Sequence, residues 1–226
     1  NADSGDGNSV ELGVKFRADS DGSIIGVRFY KAAANKGTHV GHVWSSTGTL
    51  LGTATFTSES SSGWQQVNFS APIPAVANTT YVVSYYAPQG HYSADPYFFE
   101  QSGTNNPPLH ALADGVDGQN GTYGYGAAGT FPASSYLSSN YWVDVVYTSS
   151  NTYSISGTIS GNGAAGATLT LSGTEAETTT ADASGNYSFN GILNGTYQIS
   201  ASSPGVTFTT ESRTVTTMVA AMAARL

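Results

Sequence analysis

The chain has 226 residues, enough for one large or two modest domains, each with its own core. Its 7 Lys and Arg stand against 15 Asp and Glu, a net charge of −8, which excludes the basic patch that nucleic acid or an anionic membrane surface requires. There is no cysteine, so disulfides, thiolate metal sites and cysteine nucleophiles are excluded, and no apolar run approaches the ~20 residues of a membrane-spanning helix.

Only 10% of residues are charged, and Ser, Thr, Asn and Gly supply the polarity instead. That balance suits pleated surfaces better than helix faces, which usually carry Glu and Lys. The opening octapeptide, with Asp3 and Asp6 among glycines, follows no initiator Met. This is expected of a mature exported protein or of a trimmed fragment. A tail of this kind is ordered only where something ties it down, and a neighbouring copy is one such anchor.

Period-two alternation then marks half-buried antiparallel strands. Leu12, Val14 and Phe16 alternate with Glu11, Gly13, Lys15 and Arg17. Ile25, Val27 and Phe29 alternate with Gly26, Arg28 and Tyr30. Further series run through Val67, Phe69 and Ala71, through Tyr81, Val83 and Tyr85, and through Tyr141, Val143, Val145 and Tyr147. Asp21-Gly22, Thr47-Gly48, Ser62-Gly63 and Asn78-Thr79 supply the turns between them. Residues 1–148 therefore read as an antiparallel, jelly-roll-like β-sandwich.

Residues 149–152 form a short polar linker, which implies a semi-rigid pair of domains. Beyond it, strands around Tyr153 to Ile159, Ala167 to Leu171, Tyr187 to Phe189, Tyr197 to Ile199 and Val206 to Phe208 follow in quick succession. That rhythm over residues 153–226 predicts a small immunoglobulin-like sandwich, so the fold class is all-β throughout. The Ala- and Met-rich end, 218–226, has helical propensity, but its place after six strands argues for a closing strand.

Several ordered stretches carry a resemblance to a known family. Glu11-Leu-Gly-Val-Lys-Phe16, Gly26-Val-Arg-Phe-Tyr-Lys31, Gly37-Thr-His-Val-Gly41, Gly63-Trp-Gln-Gln-Val67, Tyr81-Val-Val-Ser-Tyr85, Pro108-Leu-His-Ala-Leu112 and Asn140-Tyr-Trp-Val-Asp-Val145 resemble the bacterial secreted domain of unknown function 4082 family over residues 10–148. Ser156-Gly-Thr158, Thr180-Ala-Asp-Ala-Ser-Gly-Asn-Tyr-Ser-Phe189 and Asn194-Gly-Thr-Tyr197 resemble the carboxypeptidase-regulatory-like, immunoglobulin-like repeats of bacterial surface proteins over residues 153–226. The first resemblance implies an extracellular accessory role with no catalytic residues to carry over. The second implies a spacer or stalk.

Chemistry-bearing constellations are sparse. His39 and His42, three apart, fall on opposite faces of a strand and meet a metal only if one of them lies in a loop; hydrogen-bonded roles suit them and His91 and His110 better. Calcium is the better metal candidate, through Asp19 and Asp21 and through Asp114 and Asp117, each set beside turn glycines, although Asp-Gly pairs are above all ordinary turns. No Gly-x-Ser-x-Gly elbow is present, and Glu59, in a Ser-rich stretch, reads as part of a solvated loop. Catalysis is not expected.

Aromatic residues crowd the stretch 85–142. Tyr86, Tyr92, Tyr97, Tyr123, Tyr125 and Tyr136 are the candidate ligand contacts, because a phenol ring offers an apolar face and a polar tip to a sugar or to another protein. The competing reading is that they pin long loops to the sandwich edge. Two functions follow. One is a non-catalytic extracellular structural or adhesive protein that self-associates or meets other surface proteins, as in the repeating subunit of a cell-surface fibre. The other is a glycan-binding accessory module with an immunoglobulin-like spacer. Neither involves nucleic acid or membrane insertion. Asn68, Asn78, Asn120, Asn186 and Asn194 begin Asn-x-Ser/Thr triplets, of a kind that arises by chance in so polar a chain.

Overall fold

Alternating apolar residues bury one face of an extended chain, and here that face closes on a second sheet rather than on a helix. No helix forms among the described residues, which in this computed structural model are 2–150, 152–208, 212–217 and 222–223. The chain divides into two compact units, Asn1–Ser149 joined by Ala221–Leu226, and Ser150–Ala220.

The first unit holds β1 (Val10–Ala18), β2 (Gly22–Lys31), β3 (Val40–Ser45), β4 (Leu50–Thr55), β5 (Gly63–Ala75), β6 (Tyr81–Ala87), β7 (Thr104–Asn106), β8 (Leu109–Ala111), β9 (Thr122–Tyr125), β10 (Ser134–Ser135) and β11 (Val143–Ser149). One sheet runs β10-β9-β1-β6-β3-β4, with β8 also pairing with β1 and β7 with β8. The other contains β11-β2-β5 and ends beyond β11 on a two-residue strand, Met222–Ala223, paired with Tyr147 and Val146. That strand falls inside the segment expected to close the second sandwich. The rest of 218–226 lies outside the described residues.

Between the two sheets, Leu12, Val14, Phe16, Val27, Phe29, Val43, Val83, Tyr85, Val143, Val145 and Tyr147 share one core. Burial of each large side chain contributes about 1.5–3 kcal/mol. Phe29 stacks on Tyr85 at 4.2 Å and meets the edge of Phe56 at 4.9 Å. The alternation in β2 is broken where the pattern expected Ile25 inside. A register shift between Ile24 and Gly26 leaves Ile25 as the extra residue and sends Ile24 into the core. Pro72 and Pro74 lie in β5, at the end of the sheet, where a missing N–H is tolerated.

The second unit holds β12 (Tyr153–Thr158), β13 (Thr168–Gly173), β14 (Glu177–Thr180), β15 (Asn186–Ile192), β16 (Gly195–Ser202) and β17 (Ser212–Thr217); Met222–Ala223 is β18. A two-stranded β12-β15 sheet faces a β14-β13-β16-β17 sheet around Ile155, Leu169, Leu171, Phe189, Ile192, Tyr197 and Ile199. The turn before β15 is set by Asp182, whose Oδ1 accepts the N–H groups of Ser184 and Asn186. This is an all-β protein of two sandwiches.

Candidate functional site

Strand order brings together three aromatic residues that are far apart in sequence. Phe29 points into the core, so Tyr30, the next residue of β2, points outward. Trp64 is its direct cross-strand partner on β5, and on the other side the Tyr30 N–H donates to the carbonyl of Trp142, just before β11. The rings form a row, Tyr30 to Trp64 at 5.8 Å and Trp64 to Trp142 at 6.4 Å, both edge to face. Phe98 extends the row at 6.2 Å from Trp142, and the Arg28 guanidinium covers the Trp64 ring at 4.7 Å.

Beside this row lies a pocket of about 290 Å³, lined by Ala2, Tyr30, Trp64, Ser93, Asp95 and Trp142. The backbone of Asp95 is locked by paired bonds with Asn140 (2.9 and 3.0 Å), and the Ser93 hydroxyl donates to the carbonyl of Ala2. Trp142 has φ +53°, a left-handed conformation that costs a non-glycine residue about 1–2 kcal/mol. Asn140 holds it there, its Oδ1 accepting the Trp142 N–H at 2.8 Å. Strain of this kind persists only where its surroundings over-determine it, and functional sites are where it clusters.

The six tyrosines singled out in the sequence do not line this pocket. Tyr92, Tyr123 and Tyr125 instead gather around the N-terminal tail. Tyr125 donates to Asp6 at 2.7 Å, Tyr92 approaches the same oxygen at 3.5 Å and packs on Tyr141, and Tyr123 packs on Tyr125. Tyr123 and Tyr125 belong to β9 rather than to a loop. Tyr97 and Tyr136 are exposed, on neighbouring loops joined by the bond from the Tyr97 N–H to Leu137. Tyr86 lies apart from both groups, on β6.

The same contacts explain why the tail is ordered, without the neighbouring copy expected above. Ser4 N–H donates to Tyr92, His91 N–H donates to Asp6, and the His91 ring meets Asp3 at 3.1 Å. The tail crosses Gly90 so closely that a Cβ there would fall 2.1 Å from the Asp6 carbonyl. Burial pushes the Asp6 carboxyl up, but bonds from Tyr125, Asn8 and Tyr92 outweigh it, leaving the group below its ordinary 3.8.

The proposed calcium carboxylates are each engaged by protein. Asp19 meets His110 at 2.8 Å, Asp21 accepts the Ala77 N–H, Asp114 accepts the Asn120 N–H, and Asp117 pairs with Arg17 at 3.2 Å. Hydrogen bonds from Thr80 and Arg17, with the charges of Arg17 and Lys15, hold Asp117 below the usual carboxylate range. Among the described residues, no group of three or more His, Asp or Glu side chains is arranged to hold a metal.

Glu59 is a correction. Instead of standing in a solvated loop, it bridges Lys31 at 2.6 Å and His39 at 2.9 Å, with its side chain 10% exposed. Burial lowers the His39 pKa despite the hydrogen bond and charge of Glu59. The ring Nδ1 meets the Glu59 carboxylate at 2.9 Å, and Nε2 lies 2.8 Å from Asn35 Oδ1. A second buried network joins Trp44, Ser84, Glu11 and His42: Ser84 and His42 both donate to Glu11 Oε1, at 2.6 and 2.7 Å, and Trp44 donates to Ser84. Here Ser, His and a carboxylate do meet. The serine, however, is bonded to the carboxylate rather than to the histidine, and all three are buried.

Fold and site together define a two-sandwich β protein with an aromatic recess in its first unit and histidines tied to protein partners. Residues 1–143 match the family described as a domain of unknown function, DUF4082, and the chain belongs to that family. Residues 151–224 match the second β-sandwich domain of BOS complex subunit NOMO1-like proteins, a fold related to the immunoglobulin-like one expected there, although the carboxypeptidase-regulatory-like group itself is not matched. No curated protein matches. Among solved structures, the group B streptococcus pilus 2b backbone protein is similar at 13% identity and a TM-score of 0.27, over 96% of this chain and 87% of that one. A superposition so loose carries no argument.

Proposed function

We propose that this is a non-catalytic structural and adhesive protein of the cell exterior. The observation that carries the reading is how the chain spends its chemistry. Glu11, His42, Ser84, Lys31, Glu59 and His39 are consumed as internal cross-links, while a recess open to a partner is walled by Tyr30, Trp64 and Trp142. Such a surface holds a partner by packing rather than transforming it.

The test uses the whole chain. Sedimentation velocity over a wide concentration range, with a pull-down on intact bacterial cells, should show self-association or retention on the cell surface. A chain that stays a single particle at every concentration and is not retained by cells refutes the adhesive role. Turnover of a polysaccharide or peptide by the purified protein refutes the non-catalytic one.

A further inference from the structure

We infer that the second unit accepts one added β-strand along the open seam between β12 and β17, and that this strand is the Ala- and Met-rich segment 218–226 of a second copy of the chain. That assignment rests on the self-associating reading above and names its partner and its surface.

The seam is open because the two sheets of the second unit are unequal. Among the described residues β12 pairs only with β15, and β17 only with β16, so each has one side without a partner strand. Between them runs a groove of about 720 Å³, with Ile155, Ile159, Leu169, Ile199, Ala201 and Val215 in its lining and Ser156 on its margin. Ile159, Ala201 and Val215 pack on the core yet stay only half-buried. An apolar floor left open along two strand edges is the shape that an extended chain completes, its backbone pairing with an edge and its side chains filling the floor.

The segment 218–226 has the chemistry of that missing strand. Residues 218–224 read Met-Val-Ala-Ala-Met-Ala-Ala, apolar without interruption and uncharged. On a strand this puts apolar side chains on both faces, as in strands enclosed between layers and unlike those that lie on a surface. Met222–Ala223 already pairs as a strand, adding to the β11 edge opposite Tyr147 and Val146, where only two described residues pair. The nine residues of the segment are enough to cover the six of β12.

Turn chemistry assigns the donor to another copy. To enter the seam beside its own β17, the chain would have to reverse directly after Thr217. From Val206 to Leu226 there is no Gly, Pro, Asn or Asp to make that reversal. A second copy meets no such constraint, and donation from each copy to the next repeats head to tail, as in rings and open fibres.

The chain has no cysteine, so introduced thiols report the contact directly. Full chains carrying Ser156→Cys are mixed under mild oxidation with full chains carrying Ala220→Cys, Ala221→Cys or Ala224→Cys. Ser184→Cys, in the exposed turn before β15, is the control acceptor. The expected result is a two-chain product with Ser156→Cys and at least one donor, exceeding that with Ser184→Cys by about tenfold. Sedimentation velocity of the chain without introduced thiols should show self-association that weakens about tenfold in Ala201→Asp, which sets an unpaired charge in the groove. The thermal midpoint of Ala201→Asp controls for folding, and the cross-linking arm stands without that variant. No two-chain product above the control with any donor overturns the proposal. So does a cross-link formed within one chain, at high dilution, in the double variant Ser156→Cys, Ala221→Cys. Self-association unchanged in a folded Ala201→Asp removes the groove and leaves the structural reading standing, whereas a chain that is single at every concentration and not retained by cells removes both.

Discussion

Asn120 offers a sharp test of how the first sandwich holds its long loop. The sequence presents it as the start of an Asn-Gly-Thr triplet, but its side chain is fully buried and saturated. Oδ1 accepts the N–H groups of Lys15 and Gly121, both at 2.7 Å, and Nδ2 donates to the carbonyls of Leu112 at 2.6 Å and Lys15 at 3.1 Å. Asn120→Ala strips two buried N–H donors of their acceptor. At about 1–3 kcal/mol for each orphaned group, the loss is about 2–6 kcal/mol. At about 2–4 °C per kcal/mol for a unit of this size, the melting midpoint drops by roughly 4–24 °C. Tryptophan fluorescence isolates the right transition, because Trp44, Trp64 and Trp142, the chain's 3 tryptophans, all belong to the first unit. Thr122→Val is the control. It abolishes the same triplet at a buried hydroxyl with no partner, so it should leave the midpoint unchanged or raise it. A drop of less than ~1 kcal/mol in Asn120→Ala, or an equal drop in Thr122→Val, would refute the accounting.

Two further outcomes concern pH. Asp6 lies below its ordinary 3.8 in the folded chain, so its contribution to holding the tail is complete above that value and is lost as pH falls through the lower folded one. Proteolysis within residues 2–8 should therefore stay slow down to about pH 4 and accelerate below it. In Tyr125→Phe, which lacks the hydroxyl bond to Asp6, the acceleration should begin at higher pH; identical profiles would rule out Asp6 as the clasp. Burial holds the folded His39 pKa below the ordinary 6.5 at which the ring takes up a proton once unfolded. The unfolded state then binds more protons, so stability of the first unit declines from about pH 6.5 downward until the lower folded pKa is reached. His39→Gln should flatten that part of the midpoint-against-pH curve, and an unchanged slope would show that His39 does not carry it.

Much of the strand framework is legible in the sequence because a period of two is a local property. Leu12, Val14 and Phe16, or Val143, Val145 and Tyr147, declare a buried face by themselves. The same rule failed at Ile24 and Ile25, where one extra residue in β2 reversed the parity, and nothing in the adjacent side chains signals a bulge. The strands β7 to β10 went unread because they are two to four residues long, too short for alternation to register.

Legibility of the site was poorer, for a different reason. Counting aromatics along the chain favoured the Tyr-rich stretch, whose Tyr92, Tyr123 and Tyr125 serve to clasp the tail. A usable signal did exist: Tyr30, Trp64 and Trp142 each sit in one of the family-like motifs, and Tyr30 and Trp142 fall out of step with the core residues beside them. Reading it required knowing that β2 lies between β5 and β11.

What the sequence alone determined is the all-β class, the lack of any thiol chemistry and the acidic surface, since composition and local periodicity carry these without reference to partners. Only tertiary structure decided which residues meet. Glu59 became an ion-pair partner of Lys31 and His39, and three distant rings became one wall, because such contacts depend on strand order and register rather than on neighbours in the chain.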